Sequence, residues 1–147
     1  MAERVIFGSD HVGLGLRAEA IRVAREKGFE VDDLGPFSGE SVDYPDYART
    51  VAEAVASGRA RFGVLVCGTG IGMSISANKV KGVRAAHCTT EYEARMARAH
   101  NDANVLCLGE RVLGVGQAGS VVASFLSQPF EGGRHQRRVD KITAMEK

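Results

Sequence analysis

A cysteine stands directly before a glycine-rich turn near the middle of the chain. Cys67 ends the apolar run 62–67, and the residues after it are Gly68, Thr69, Gly70, Ile71 and Gly72. A turn of this kind between a buried strand and a helix exposes successive backbone N–H groups, which can bind an anion together with the helix N-terminus. The same positive end of the helix favours the thiolate form of Cys67, which can act as a base. Two simpler interpretations stay open: glycines required only by sterics, and a cysteine that only fills the core.

Two histidines lie beside other polar residues at the ends of predicted elements. His11 follows Asp10 on a glycine-flanked turn, and His100 precedes Asn101 where a helix is predicted to end. Imidazole is well suited to proton transfer near neutral pH, although either histidine could instead be a cap or a surface residue. His87, inside a predicted strand, is interpreted as structural. His135 lies among arginines, where we expect it only to add positive potential.

One stretch of the chain, 132–138, is rich in basic residues. Arg134 and Arg138 are four residues apart, so on a helix both guanidinium groups project from one face and can converge on a phosphate. The alternative is a solvated basic helix start, but positive charge there opposes the helix dipole unless an anion compensates. Arg111, which follows the last predicted strand, is a third candidate for phosphate binding.

Spacing and composition exclude several classes of function. The turn reads GxGxG rather than GxGxxG, and no Gly-Lys-Ser/Thr follows, so neither a dinucleotide site nor a P-loop is expected. The net charge is +1 and the basic residues are dispersed except near the C-terminus, which predicts no binding of nucleic acid or membranes. Three cysteines without a CxxC pair argue against disulfides and a thiolate zinc site. Without a signal peptide or an apolar span, we expect a cytoplasmic protein.

Short apolar runs alternate with segments of helical periodicity along the chain. Predicted strands are 5–7, 29–32, 62–67, 83–88 and 105–108, and predicted helices are 14–27, 45–57, about 71–79, 91 to about 100, 115–127 and 134–146. This alternation predicts one α/β domain over residues 1–147, with a five-stranded parallel sheet between two helix layers. Ligands bind at the carboxyl ends of such strands, where Asp10, Cys67 and Arg111 all lie. The irregular segment 35–46 is a candidate loop of the active site.

These groups together suggest proton transfer on a small phosphorylated carbonyl compound. Aldose–ketose isomerisation fits this set, which contains a thiolate base, a group of N–H donors, histidines and arginines, and no metal-binding pattern.

Six motifs in order carry a resemblance to a known family. They are GSDHVG (8–13), DYP (43–45), CGTGIG (67–72), SANK (76–79), HNDANV (100–105) and GGRHQ (132–136). The chain resembles the type B ribose-5-phosphate isomerases, whose wider family includes isomerases of galactose 6-phosphate and allose 6-phosphate. The resemblance covers nearly the whole chain and implies carbohydrate metabolism in the pentose phosphate pathway, with ribose 5-phosphate and ribulose 5-phosphate as substrate and product.

The resemblance also implies individual roles. Cys67 would be the base between C1 and C2, His100 the acid that opens the furanose ring, and Thr69 a support for ring opening or for the reacting oxygens. Sugar hydroxyls or the enediolate would be bound by Asp10, Tyr44 and Asn101, and the oxyanion by residues 68–72. Phosphate would be bound by His11, Arg111, Arg134 and Arg138. Some relatives use a glutamate at the position of Met73, so the cysteine branch applies here.

The same resemblance implies a Rossmann-like sandwich and a homodimer or dimer of dimers. The active site would be shared between two subunits, with the helix 134–146 packing at the interface, and neither metal nor cofactor would be needed. Two alternatives stay open: an isomerase of a six-carbon sugar phosphate such as allose 6-phosphate or galactose 6-phosphate, and a non-catalytic nucleotide-binding module on the same fold.

Overall fold

Strands and helices alternate along the chain in the computed structural model, which describes residues 2–146. The strands are β1 (Arg4–Ser9), β2 (Glu30–Asp33), β3 (Phe62–Cys67), β4 (Ala85–His87) and β5 (Val105–Gly109). The helices are α1 (Leu14–Glu26), α2 (Tyr44–Ala56), α3 (Ile71–Ala77), α4 (Glu91–Asn101), α5 (Val115–Ser127) and α6 (Arg134–Thr143). The predicted order of elements is confirmed.

The five strands form one parallel sheet in the order β2-β1-β3-β5-β4. One face is covered by α1, α4 and α5, whose buried side chains include Leu16, Ala94 and Phe125. The other face is covered by α2 and α3, with Val51 and Met73 in its core. The predicted α/β Rossmann-like sandwich is therefore confirmed. The three central strands bring the carboxyl ends of β1, β3 and β5 side by side.

Several elements are shorter than predicted, and side-chain hydrogen bonds explain two of these differences. Helix α3 ends at Ala77 instead of about 79 because the Asn78 amide donates to the Ala85 carbonyl and accepts from the Ala85 N–H. Strand β4 begins only at Ala85, since the N–H of Arg84 donates to the Asn104 side chain. Helix α6 ends at Thr143 rather than 146.

No helix within residues 2–146 is both long enough and apolar enough to cross a bilayer.

Candidate active site

The end of β3 and the start of α3 hold the Cys67 thiol against a backbone N–H group. The Gly70 N–H donates to Cys67 Sγ over 3.2 Å, and the Cys67 side chain is buried. The Thr69 hydroxyl oxygen accepts the N–H of Ile71 over 3.2 Å, which leaves its proton free to point outward. Hydrogen bonds from N–H groups stabilise a thiolate, so the geometry suits a sulfur base.

Two glycines of this turn lie where a side chain would collide with a neighbouring ring. Gly70 has a φ of +85°, and a Cβ there would lie 2.7 Å from Cδ2 of His87. A Cβ on Gly72 would lie 2.4 Å from the ring of Tyr44. The phenol of Tyr44, at the start of α2, therefore covers the first turn of α3, as a residue that contacts a ligand there would.

Asp10 shapes the loop after β1. Its Oδ1 accepts the N–H groups of Val12 and Gly13 at 3.0 and 3.1 Å, and its own N–H donates to the Val66 carbonyl. These bonds fix the carboxylate beside the end of β3 through Oδ1. Asp10 thus has a structural role that the sequence did not indicate, and its binding role stays a prediction.

His11 connects the same loop to the irregular segment predicted at 35–46, which runs over 34–43 because α2 begins at Tyr44. Its Nδ1 accepts the N–H of Val42 over 3.2 Å. Because a backbone N–H can only donate, Nδ1 carries no proton, and the ring proton of His11 resides on Nε2. Nε2 is therefore the donor that His11 can offer to an anion.

A buried arginine that sequence analysis missed fixes the other end of this segment. Arg17 donates to the Ser9 hydroxyl at 2.6 Å and to the Pro36 carbonyl at 2.8 Å, and pairs with Asp33 at 3.2 Å. Its position on the inward side of α1 was the available signal, since a buried arginine requires several partners.

The loop after β5 completes the first group of site residues, which lies at the carboxyl ends of the strands. The N–H of Glu110 donates to the Cys67 carbonyl, and the N–H of Arg111 donates to the Gly68 carbonyl. The Glu110 carboxylate accepts the N–H of Leu16 over 2.8 Å and so caps the start of α1. The start of α1 is therefore already occupied by a carboxylate of the chain itself. The guanidinium of Arg111, in contrast, lies beside the glycine turn, 3.8 Å from the Cβ position of Gly68. A bound anion would therefore lie at the turn 68–72.

A second group of predicted residues lies at the opposite edge of the sheet, where the amino ends of the strands meet. Helix α4 runs back from the carboxyl end of β4 to the amino end of β5, so His100 and Asn101 precede Val105. Cys67 pairs with Gly109, which lies four residues beyond Val105 in β5. At 3.3 Å per residue, Val105 and Gly109 are roughly 13 Å apart. Helix α6 packs on α4 and brings Arg134 and Arg138 to this second edge. One chain therefore does not bring His100 to its own Cys67.

The second group also contains Glu131, which sequence analysis did not name, and His135, to which it assigned only positive potential. The rings of His100 and His135 stack with centroids 4.2 Å apart and planes 9° apart. Glu131 Oε1 lies 4.0 Å from Nε2 of His100 and 3.6 Å from Nε2 of His135. Burial, and then the positive groups around it, lower the pKa of His135, so it does not contribute the positive charge that its arginine-rich surroundings suggested. Glu131 precedes α6, so helical spacing offered no signal for this contact.

These three side chains are also the one set within residues 2–146 whose donor atoms could approach a single metal ion. Their candidate ligand atoms lie within 4.8 Å of one another. However, the lone pairs of parallel rings do not converge, and Arg134 and Arg138 add positive charge beside His135. The arrangement therefore fits a cation poorly.

The other two cysteines are buried among apolar side chains, as predicted. Burial raises the pKa of Cys88 to about 12, with a smaller contribution from the nearby Glu93 carboxylate. Burial also raises the pKa of Cys107. Both thiols remain protonated at neutral pH.

Comparison with known proteins decides the family. The family model described as Ribose/Galactose Isomerase matches residues 5–142. The chain belongs to the ribose/galactose isomerase family. It is 49% identical over 144 residues to ribose-5-phosphate isomerase B of Escherichia coli, covering 98% of this chain and 97% of that protein.

Solved structures of the ribose/galactose isomerase family share the whole architecture. Type B ribose 5-phosphate isomerase of Trypanosoma brucei superposes with a TM-score of 0.97 at 52% identity, covering 99% of this chain and 100% of that one. The Mycoplasma genitalium ribose-5-phosphate isomerase B, solved with bound ribulose-5-phosphate, superposes with a TM-score of 0.95 at 44% identity over 99% and 97% of the two chains. The chain is thus an enzyme, an isomerase, and the alternative of a non-catalytic nucleotide-binding module is wrong.

Proposed function

We propose that this chain interconverts ribose 5-phosphate and ribulose 5-phosphate, with Cys67 as the base. The observation that supports this most directly is the bond from the Gly70 N–H to Cys67 Sγ at 3.2 Å, beside the Asp10 carboxylate and the turn 68–72. Similarity to enzymes named ribose-5-phosphate isomerase B, one of them with ribulose-5-phosphate bound, supports the choice of substrate.

The active site of this proposal is shared between two copies of the chain. Cys67 and His100 lie at opposite edges of the sheet, so a reaction that uses both needs His100 from a second subunit. A twofold dimer would form two equivalent sites, because each subunit supplies both groups of residues. Ile71 and Ile75 support this arrangement: they are 51% and 58% exposed on one face of α3, beside the turn, where a second subunit would cover them. The terminal helix α6 then lies at the interface with Arg134 and Arg138.

The first step opens the furanose ring. His100 of one subunit donates a proton to the ring oxygen as the C1–O4 bond breaks, and the proton of the C1 hydroxyl passes to Asp10 Oδ2 of the other subunit. The products are the open-chain aldehyde, a neutral His100 and a protonated Asp10, which exchange protons with water afterwards. The phosphate is held meanwhile by Arg111, His11, Arg134 and Arg138. This grip aligns C1 and C2 with the sulfur.

The second step moves a proton between C2 and C1. The Cys67 thiolate removes the C2 proton, and the electron pair forms the C1–C2 double bond while charge develops on O1. This oxyanion is stabilised by backbone N–H groups of the turn 68–72 other than those of Gly70 and Ile71, which already donate within the turn. The Thr69 hydroxyl passes the proton of O2 to O1, and the Cys67 thiol returns its proton to C1. Aldose and ketose are isomers, so protons alone are transferred and the reaction requires no electron acceptor.

A panel of substrates tests the proposed function. The purified, metal-free protein is incubated separately with ribose 5-phosphate, allose 6-phosphate and galactose 6-phosphate, and ketose formation is measured. The expected result is a kcat/KM for ribose 5-phosphate far above those for the two hexose phosphates. A higher kcat/KM for either hexose phosphate would overturn the pentose assignment.

A further inference from the structure

Within the second group of residues, the His100 ring rests on a buried partner. The His100 side chain is 40% exposed, whereas that of His135 is 8% exposed. Their rings are parallel within 9° at 4.2 Å. The buried ring is held by its surroundings, and the exposed ring has its plane set by contact with the buried one.

The backbone around Glu131 fixes this arrangement. The Glu131 N–H donates to the carbonyl of Ala99, next to His100 in α4. Gly132 and Gly133 then turn the chain into α6 with φ values of +67° and +55°. Because residues with side chains rarely adopt such φ values, the two glycines allow Glu131 and His135 to approach His100 together.

The Nε2 atom of His135 is buried and has no hydrogen-bond partner among residues 2–146. A buried polar atom without a partner costs about 1–3 kcal/mol, so its retention here needs an explanation. The Glu131 carboxylate lies 3.6 Å away and is half exposed, so a small movement of that side chain would form the bond. Glu131 Oε1 also lies 4.0 Å from Nε2 of His100, so one carboxylate faces both rings.

We propose that His135 and Glu131 are positioning residues for His100, in which His135 fixes the plane of the His100 ring by stacking and Glu131 holds its Nε2–H. This inference rests on the proposed role of His100 in ring opening. The charged and titratable groups that act on His135 are Glu131, Arg134 and Arg138 at its own end of the chain, and His100 on α4. A neutral His135 keeps the stack intact, because two charged imidazoles in contact would repel each other.

The proposal predicts a defect confined to substrates that must be opened. Ribose 5-phosphate exists mainly as a furanose, whereas ribulose 5-phosphate cannot close a five-membered ring because O5 carries the phosphate. Cleavage of the C1–D bond of ribulose 5-phosphate deuterated at C1 therefore reports proton transfer without ring opening. Deuterium released to water and deuterium moved to C2 are summed by NMR.

Three variants test the two positioning residues. His135→Leu removes the stacking plane, and kcat for ribose 5-phosphate should fall on the order of 10- to 100-fold, as expected for a misplaced catalytic group. Its KM, its inhibition by inorganic phosphate and its C1–D cleavage should remain within about twofold of wild type. His135→Phe restores a flat ring and should recover most of the lost turnover. Glu131→Gln keeps the shape without the charge and should show the same asymmetry as His135→Leu.

His100→Ala is the reference for these measurements. If His100→Ala loses ribose 5-phosphate turnover and C1–D cleavage equally, the proposed role of His100 is wrong. If His100→Ala shows the asymmetry but His135→Leu loses both activities, loses phosphate inhibition or loses nothing, only the positioning role is wrong. Equal turnover of His135→Phe and His135→Leu would likewise overturn the stacking argument.

Discussion

The turn after Cys67 is predicted to be intolerant of a single methyl group at Gly70. Two separate penalties apply to Gly70→Ala. The φ of +85° costs an alanine about 1–2 kcal/mol. A Cβ 2.7 Å from Cδ2 of His87 and 2.9 Å from the backbone carbonyl carbon of Leu108 adds about 1–3 kcal/mol of overpacking. The expected loss of unfolding free energy is therefore about 2–5 kcal/mol.

Gly28→Ala is the matched control, because Gly28 has a φ of +88° and its Cβ position has no described atom within 4 Å. Urea denaturation at one protein concentration should show a loss of only about 1–2 kcal/mol for Gly28→Ala, with unchanged turnover. Gly70→Ala should lose kcat as well, because relief of the overlap moves the Gly70 N–H away from Cys67 Sγ. Equal losses of stability in the two variants, with turnover retained in both, would refute this description of the turn.

Three further predictions follow from the charges and from the buried groups. Arg134→Ala and Arg138→Ala should each weaken ribose 5-phosphate binding and phosphate inhibition by about 1.5–3 kcal/mol, on the order of 10- to 100-fold, whereas Arg137→Ala should not; unchanged affinities would assign the arginines to a solvated surface. Because burial lowers the pKa of His135 from its ordinary 6.5, the melting temperature should fall as the pH drops below 6.5, and less steeply in His135→Phe; parallel slopes would contradict this. Iodoacetamide should alkylate Cys67 alone, since the pKa of Cys88 is about 12 and that of Cys107 is also raised, and phosphate should slow the reaction at Cys67. Alkylation of Cys88 or Cys107 at a similar rate would contradict this.

The element order was predictable because each element carries its own local signal. The apolar run 62–67, the glycines after it and the stripe of Leu16, Ala20, Ile21 and Ala24 specify strand, turn and helix without long-range information. Boundaries set by distant side chains were not predictable. Asn78 stops α3 through a bond to Ala85, and nothing within α3 itself indicates this stop.

The candidate site was predictable as an inventory of residues but not as an arrangement. The sequence marks Cys67, His100 and Arg134, and the separation of Cys67 from His100 follows from α4 running back from β4 to β5. The packing of α6 on α4, which brings Arg134 to the same end of the sheet as His100, has no local signal. The environment of His135 was misjudged for the same reason. Charged neighbours in sequence suggested that His135 adds positive potential, whereas packing of α6 on α4 buries the ring against His100.

The proposed reaction depends most on Cys67 as the base, and C–D cleavage measures that role directly. Cys67→Ala changes side-chain volume little and should leave fold and phosphate binding nearly intact. Its cleavage of the C1–D bond of deuterated ribulose 5-phosphate should fall on the order of 100- to 10,000-fold, whereas Cys88→Ala should remain near wild type and His100→Ala should retain most of the cleavage. A Cys67→Ala enzyme that still cleaves this bond at near the wild-type rate would show that the base is another group.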